Sequence, residues 1–246
     1  MIQLQEHVSL RSFNTFGINV YADFFCTVRS RQDFIDLIQT ETYRQQRTLL
    51  LGGGSNVLFL DDFRGLVIKN EIKGIDIVSE TDEHITLRVG AGEVWHNLVM
   101  YCVQHNWGGI ENLSLIPGTV GAAPMQNIGD YGGEVKDVIE NVEAMDVRTG
   151  SLRVFSKEEC EFGYRESVFK GALKEKFFIS SVTLRLRKKN HQLHTSYGAI
   201  NEVLASKNIS SPTIQNISDA VIAIRTSKLP DPAQVGNAGS FFKNPV

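Results

Sequence analysis

The stretch "GIENLSLIPGTVGAAPMQNIGDYGGE" (109–134) has neither the period of a helix nor the alternation of a strand, yet it carries little charge. A loop of about 25 residues without regular structure is uncommon in a compact domain unless it is functional. Gly118, Gly121, Ala122, Ala123, Gly129, Gly132 and Gly133 keep its surface thin, and Leu115, Ile116, Val120 and Ile128 make it apolar. Thin main chain beside apolar side chains suits a flat aromatic cofactor that needs close backbone hydrogen bonds. The alternative is an irregular crossover through the core. A second glycine cluster, "LGGGSN" (51–56), lies between strand-like runs, where three successive glycines let backbone amides converge on an anion such as a phosphate. No GxGxxG opens a helix here and no lysine follows as in a Walker-type loop. A flexible hairpin turn is the other reading.

Outward from these loops the pattern is mixed helix and sheet. In "SRQDFIDLIQ" (30–39), Ser30 and Asp33 form a capping pair, and Phe34, Leu37 and Ile38 recur at helical spacing. "RTLLLGGGSNVLFL" and "GLVIK" (47–60 and 65–69) supply three apolar runs too brief for helices, which read as strands, so the first 70 or so residues form a small α/β unit. "HITLRVGAGE" (84–93) alternates like a strand, and Trp95, Leu98, Val99, Cys102 and Val103 mark the buried stripe of a second helix. "ENVEAMDVRTGSLRVFS" (140–156) reads as two strands about a turn at Thr149 and Gly150. In "FISSVTLRLRKK" (178–189), Val182, Leu184 and Leu186 share one strand face, with Thr183, Arg185 and Arg187 on a wet one. Ile217, Val221 and Ile224 predict a final short helix, ended by the prolines of "KLPDP" (228–232).

The 246 residues, 42% hydrophobic, are enough for one large domain or two modest ones, and a net charge of −3 without segregation excludes a broad electrostatic surface for nucleic acid or membranes. Any anionic ligand must therefore be held by local groups. The start, "MIQLQEHVSLRSFNTFGI", lacks a signal-peptide core and no later run is long enough for a membrane span, so a soluble cytoplasmic protein is expected. Cys26, Cys102 and Cys160, odd in number and far apart, read as buried thiols. Of the six histidines, His191 and His194 are the nearest pair, but no cysteine or carboxylate cluster supports a metal site there. No G-x-S-x-G elbow supports a hydrolase. In "KEECEFGYRESVFK" (157–170), Ser156 and Glu159 can cap a short turn that Gly163 ends. Tyr164 and Arg165 then stand where the chain reverses, and a guanidinium there can meet a carboxylate or phosphate, or be a solvated charge.

Taken together, "NTFGI" (14–18), "LGGGSNVLF", the 109–134 loop, "FGYRESVFK" (162–170), "TSKLPDP" (226–232) and "GNAGSFFKNP" (236–245) resemble the UDP-N-acetylenolpyruvoylglucosamine reductases (MurB) of bacterial peptidoglycan synthesis, in family order over nearly the whole chain. The resemblance implies an α+β chain with the two-part FAD-binding fold of the vanillyl-alcohol-oxidase (PCMH) type: residues 1–70 as one FAD-binding part, 71–208 as the second, and 209–246 as the start of a substrate-binding domain. It implies a cytoplasmic flavoprotein oxidoreductase of cell-wall biogenesis, and hence of cell shape and division. NADPH reduces FAD, and hydride then passes to C3 of UDP-N-acetylglucosamine enolpyruvate while a proton reaches C2, giving UDP-N-acetylmuramate. No obligate protein partner, nucleic acid or membrane is implied.

By position, Gly52, Gly53, Gly54, Ser55 and Asn56 match the FAD pyrophosphate loop, and Pro117, Gly118, Thr119, Gly121, Ala122, Gln126, Asn127 and Gly129 match the flavin-lining segment. Arg165 matches the arginine that grips the substrate carboxylate, and Ser240 the serine that donates the proton. Tyr197, Lys228 and Asn244 match residues around the substrate diphosphate. Family members continue beyond the point where this sequence stops and carry a further catalytic glutamate there. The resemblance therefore implies a chain lacking much of its substrate domain, with weak FAD binding, little or no turnover and a tendency to self-associate. A non-catalytic flavin or nucleotide-sugar binding module on the same fold is the rival reading. A flavin oxidase of the same superfamily is disfavoured by the motifs around Arg165, Tyr197 and Ser240.

Overall fold

Ser30 does start a helix. In the computed structural model, which describes residues 2–239, the chain runs through β1 (Gln5–Ser9), β2 (Tyr21–Val28), α1 (Arg31–Ile38), α2 (Glu41–Gln45), β3 (Thr48–Leu51) and β4 (Phe63–Asn70). The Ser30 and Asp33 side chains cap each other's backbone amides, and Phe34, Leu37 and Ile38 face inward. The four strands form one sheet in the order β1-β2-β4-β3, with β4 parallel to both β2 and β3.

That parallel pairing corrects one expectation. The run at 56–60 is not a strand: parallel neighbours cannot be joined by a hairpin, so residues 52–62 form the crossover from β3 to β4. Phe59 is buried within it, while Leu58 and Leu60 are exposed. The hairpin-turn reading of "LGGGSN" falls with it.

The second lobe comprises β5 (Ile75–Glu80), β6 (His84–Gly90), α3 (Trp95–Gln104), the two-residue strands β7 (Gly129–Asp130) and β8 (Gly133–Glu134), β9 (Ile139–Asp146), β10 (Leu152–Ser156) and β11 (Phe177–Arg187). Its main sheet is antiparallel, in the order β10-β9-β11-β6-β5. The α3 stripe of Trp95, Leu98, Val99, Cys102 and Val103 packs on this sheet in one large core. The turn at 149–150 joins β9 and β10 as the sequence predicts.

The face of β11 expected to be wet is only partly so. A bulge between Ile179 and Ser181 reverses the strand's alternation, so Ile179, Val182, Leu184 and Leu186 face the second-lobe core while Phe178 points the other way. Phe178 and Met145 enter the core of the first lobe, where Phe178 stacks on Phe34 with ring centroids 4.3 Å apart and planes 6° from parallel. Asn70 Nδ2 donates to the Ile179 carbonyl at 2.8 Å, and Arg31 pairs with Glu143, which accepts a hydrogen bond from Ser181 Oγ at 2.7 Å. Thr183 is buried, and Arg185 is left exposed.

Two helices follow, α4 (Gly198–Ser206) and α5 (Ile214–Lys228), the latter longer than the short helix expected. Thr213 and Asn216 cap α5 reciprocally. The boundary expected at 208/209 falls between two helices that pack on each other through Ile200, Leu204, Ile217 and Val221, with Tyr131 of the hairpin region closing the cluster.

No helix among the described residues is long and apolar enough to cross a membrane. The three thiols are all buried, and burial pushes each up to about 12 from 9.0. Because the fold holds these protons more tightly than the unfolded chain, their contribution to stability is complete below pH 9 and is lost as pH rises toward 12. Ellman's reagent at pH 8 is expected to titrate none of the three until denaturant is added; rapid reaction of any one in the native protein contradicts the packing. Phe178→Ala removes the ring shared by the two lobes and is expected to lower unfolding free energy by about 3–5 kcal/mol in urea titration, whereas a loss under about 1 kcal/mol would place the inter-lobe contact elsewhere.

Candidate functional site

Between the lobes lies an open cavity of about 650 Å³, within the size range of small-molecule sites. One wall is the glycine crossover of the first lobe and another is the 116–130 segment. The rest comes from Trp95 of α3, from Tyr164, Arg165 and Lys170, from Arg225 of α5, and from Ala238.

At the glycine wall two backbones come close together. A Cβ added to Gly53 would lie 2.8 Å from the Gly118 Cα, and one added to Gly54, whose φ is +66°, would lie 1.9 Å from the Phe13 carbonyl oxygen. Neither can bear a side chain. The "NTFGI" turn holds the crossover from behind: Asn14 ties its own turn through Leu10 and Ile18, and the Thr15 amide donates to the Gly54 carbonyl at 3.1 Å. Lys69 of β4 donates to the Gly52 carbonyl, its ammonium pKa lowered chiefly by burial. Asn56 Nδ2 reaches Gln126 Oε1 at 3.3 Å, joining the two walls directly.

Gly52, Gly53, Gly54, Ser55, Asn56, Pro117, Thr119, Ala122, Gln126 and Gly129 all line this cavity. Gly118, Gly121 and Asn127 stand behind the wall. Gly118 backs Gly53 and accepts from the Trp95 amide, while Gly121 packs where an added Cβ would meet the Ala91 Cβ at 2.6 Å. Asn127 is wholly buried with φ +42°, donating to the Gly163 carbonyl at 2.9 Å and accepting from the Lys136 amide at 3.1 Å.

Those bonds seat the turn that carries Arg165. Its φ is +55°, and its guanidinium donates to the backbone carbonyls of Asn127, at 3.4 Å, and of Gly129. Lys170 Nζ donates to the Arg165 carbonyl at 3.1 Å. The guanidinium thus lies on neutral acceptors, free to meet an anion in the cavity.

Three charged groups of the site, Arg225, Asp130 and Lys170, escaped the sequence reading. Arg225 is only 6% exposed, pairs with Asp130, and has an Nε–H with no acceptor among the described residues. A signal existed: Arg225 stands four residues after Val221, on the apolar stripe of α5, where a charge needs a reason. Asp130 was hidden in the loop next to Gly129. His96 nearby accepts from the Leu115 amide at 2.9 Å, and burial, then the Arg225 charge, lowers its pKa.

Tyr197 and Lys228 are not brought to the wall. Tyr197 is half exposed and meets Tyr131 edge to face at 5.1 Å, and Lys228 is exposed at the end of α5. Ser240 and Asn244 lie outside the described residues. The chain leading to Ser240 does reach the site: the Asn237 amide donates to the Thr15 carbonyl at 3.2 Å and Ala238 is buried on the cavity wall. Among the described residues no group of three or more His, Cys, Asp or Glu side chains converges.

A side-chain-free turn for a phosphate, an apolar shelf of Ile116, Ala122 and Ile128, and an orphaned buried donor on Arg225 fit a flavin nucleotide. A family described as "FAD binding domain" matches residues 22–156. A UDP-N-acetylenolpyruvoylglucosamine reductase of Amoebophilus asiaticus is 52% identical over 245 residues, covering 100% of this chain and 72% of that protein. Among solved structures, the UDP-N-acetylenolpyruvylglucosamine reductase (MurB) of Thermus caldophilus superposes with a TM-score of 0.72 at 26% identity, over 100% of this chain and 76% of that one. A cholesterol oxidase from B. sterolicum shares the fold over 76% of this chain and 38% of its own, with a TM-score of 0.52 at 15% identity. The architecture is the FAD-binding fold of the vanillyl-alcohol-oxidase type, and the chain belongs to the UDP-N-acetylenolpyruvoylglucosamine reductase family, a family of oxidoreductases.

Proposed function

We propose that this chain binds FAD and acts in the NADPH-dependent reduction of UDP-N-acetylglucosamine enolpyruvate to UDP-N-acetylmuramate, in a cytoplasmic stage of peptidoglycan synthesis. The observation that carries the reading is the meeting of the glycine turn and the Arg165 guanidinium on one cavity. When bound, FAD supplies two-electron chemistry, a hydride taken from NADPH and delivered to C3 of the enolpyruvyl group.

The remaining work falls to the chain. The amides of Gly52 to Ser55 hold the pyrophosphate, where the absence of side chains lets it approach. Arg165 binds the substrate carboxylate. Negative charge developing at C2 spreads into that carboxylate, so a fixed guanidinium stabilises charge where it forms and acts as an electrophile, not a base. Ser240 gives its hydroxyl proton to C2; a hydroxyl is a weak acid, but a carbanion-like carbon is far more basic. Ala238 and Gly239 before it are small enough to let substrate approach. Tyr197, Lys228 and Asn244 serve the diphosphate, which lies far from the reacting carbons, in keeping with the exposure of Tyr197 and Lys228.

The test is a two-step spectrum. NADPH is expected to bleach the bound flavin and the enolpyruvyl sugar to restore its colour; bleaching without restoration favours a flavin module that does not reduce this substrate. Ser240→Ala should leave the first step unchanged and slow the second by about 10²-fold or more, and an equal loss in both steps contradicts the assigned role. Gly53→Ala forces the first-lobe turn away from Gly118 and should weaken FAD binding by at least about tenfold in a fluorescence-quenching titration, where an unchanged affinity would remove the turn from the site.

A further inference from the structure

Two arginines reach the cavity, and adjacent residues of β7 hold them in different ways. Gly129 offers Arg165 a backbone carbonyl, which carries no net charge. Asp130 offers Arg225 a carboxylate, and Arg225 has only 6% of its surface exposed. A guanidinium does not lose its proton in a protein, so a buried one needs a counter-charge. Among the described residues Arg225 has one and Arg165 has no carboxylate within ion-pair distance, the neighbouring Glu134 being paired with Lys136. Lys170, the other cation among the described residues of the wall, is solvent-exposed and pairs with Glu166 at 3.5 Å.

We propose that Asp130 is a specificity-determining residue, cancelling the charge of Arg225 so that an anionic group entering the cavity is drawn to Arg165. The inference rests on the reading of Arg165 as the carboxylate grip. Two bare guanidiniums in one cavity would compete for a carboxylate, and an anion seated at Arg225 would be out of place for chemistry directed by Arg165. With Asp130 in place Arg225 is a neutral pair that keeps its Nε–H for an uncharged acceptor, such as a heterocycle carbonyl or ring nitrogen. The residue thus sorts the two arginines by ligand class, one for anions and one for neutral polar edges.

The probe is inorganic sulfate, titrated calorimetrically into the purified chain without FAD or nucleotide sugar, so that the result does not depend on turnover. Asp130→Asn unmasks a second charge and is expected to bind sulfate about tenfold more tightly than the native chain. Asp130→Glu should return to the native value, and Arg165→Gln should lose at least tenfold. Damage to packing weakens binding, so tighter binding is a readout that a merely structural role does not give. Unchanged sulfate affinity in a folded Asp130→Asn variant overturns the proposal. If that variant melts too low to assay, the double variant Asp130→Asn, Arg225→Gln decides: native sulfate affinity supports compensation, and a tenfold fall shows that Arg225 itself holds the anion and overturns it. Failure of the enolpyruvyl sugar to reoxidise the flavin would refute the proposed reaction without altering these titrations.

Discussion

The structure depends on one close approach, that of the main chain at Gly53 to the main chain at Gly118. Parallel pairing of β3 and β4 forces the chain between them to cross over, and the crossover carries the glycines. Gly118 belongs to the other lobe, tied through the Trp95 amide to the start of α3. A methyl group on Gly53 would force the walls apart, and one on Gly118, whose φ is +110°, would be strained and would meet the Ser55 hydroxyl at 2.9 Å. Because nothing but backbone occupies the contact, the edges of both segments remain open to a ligand, and the same thinness that lets the lobes meet leaves amides free for a phosphate.

Charge is arranged around that contact with equal economy. The loop from Asn127 to Asp130 turns polar main chain and one carboxylate toward the arginines of two other segments. Arg165 is brought in by a left-handed turn and Arg225 by the apolar stripe of α5, so neither position is set by the loop's own sequence. The site is a junction of segments far apart in the chain, and the inter-lobe ring stack of Phe34 on Phe178 keeps the two lobes in register behind it.

What could be read from sequence was local. The Ser30 cap, the α3 stripe and the β9–β10 turn each depend on residues within a few positions of one another, and each forms as expected. The run at 56–60 was misread because its fate depends on which strand β3 pairs with. The bulge in β11 was invisible for a similar reason, since it exists only relative to β9 and redirects Phe178 into the other lobe. Of the 109–134 loop, the glycines signalled thin main chain but not which of them line the cavity: Gly118 and Gly121 serve backbone packing, and Gly129 serves the cavity. Arg225 and Asp130 were missed because an ion pair between residues 95 positions apart leaves no periodic trace. The roles given to Tyr197 and Lys228 came from family resemblance alone, and periodicity could not have supplied them.

The central claim is that two stretches of bare main chain enclose a flavin nucleotide. Equilibrium titration of the purified 246-residue chain with FAD tests it most directly. The account predicts saturable quenching of flavin fluorescence with one FAD per chain, accompanied by a perturbed flavin absorption spectrum. Quenching that never saturates, with a spectrum identical to free FAD, would contradict it.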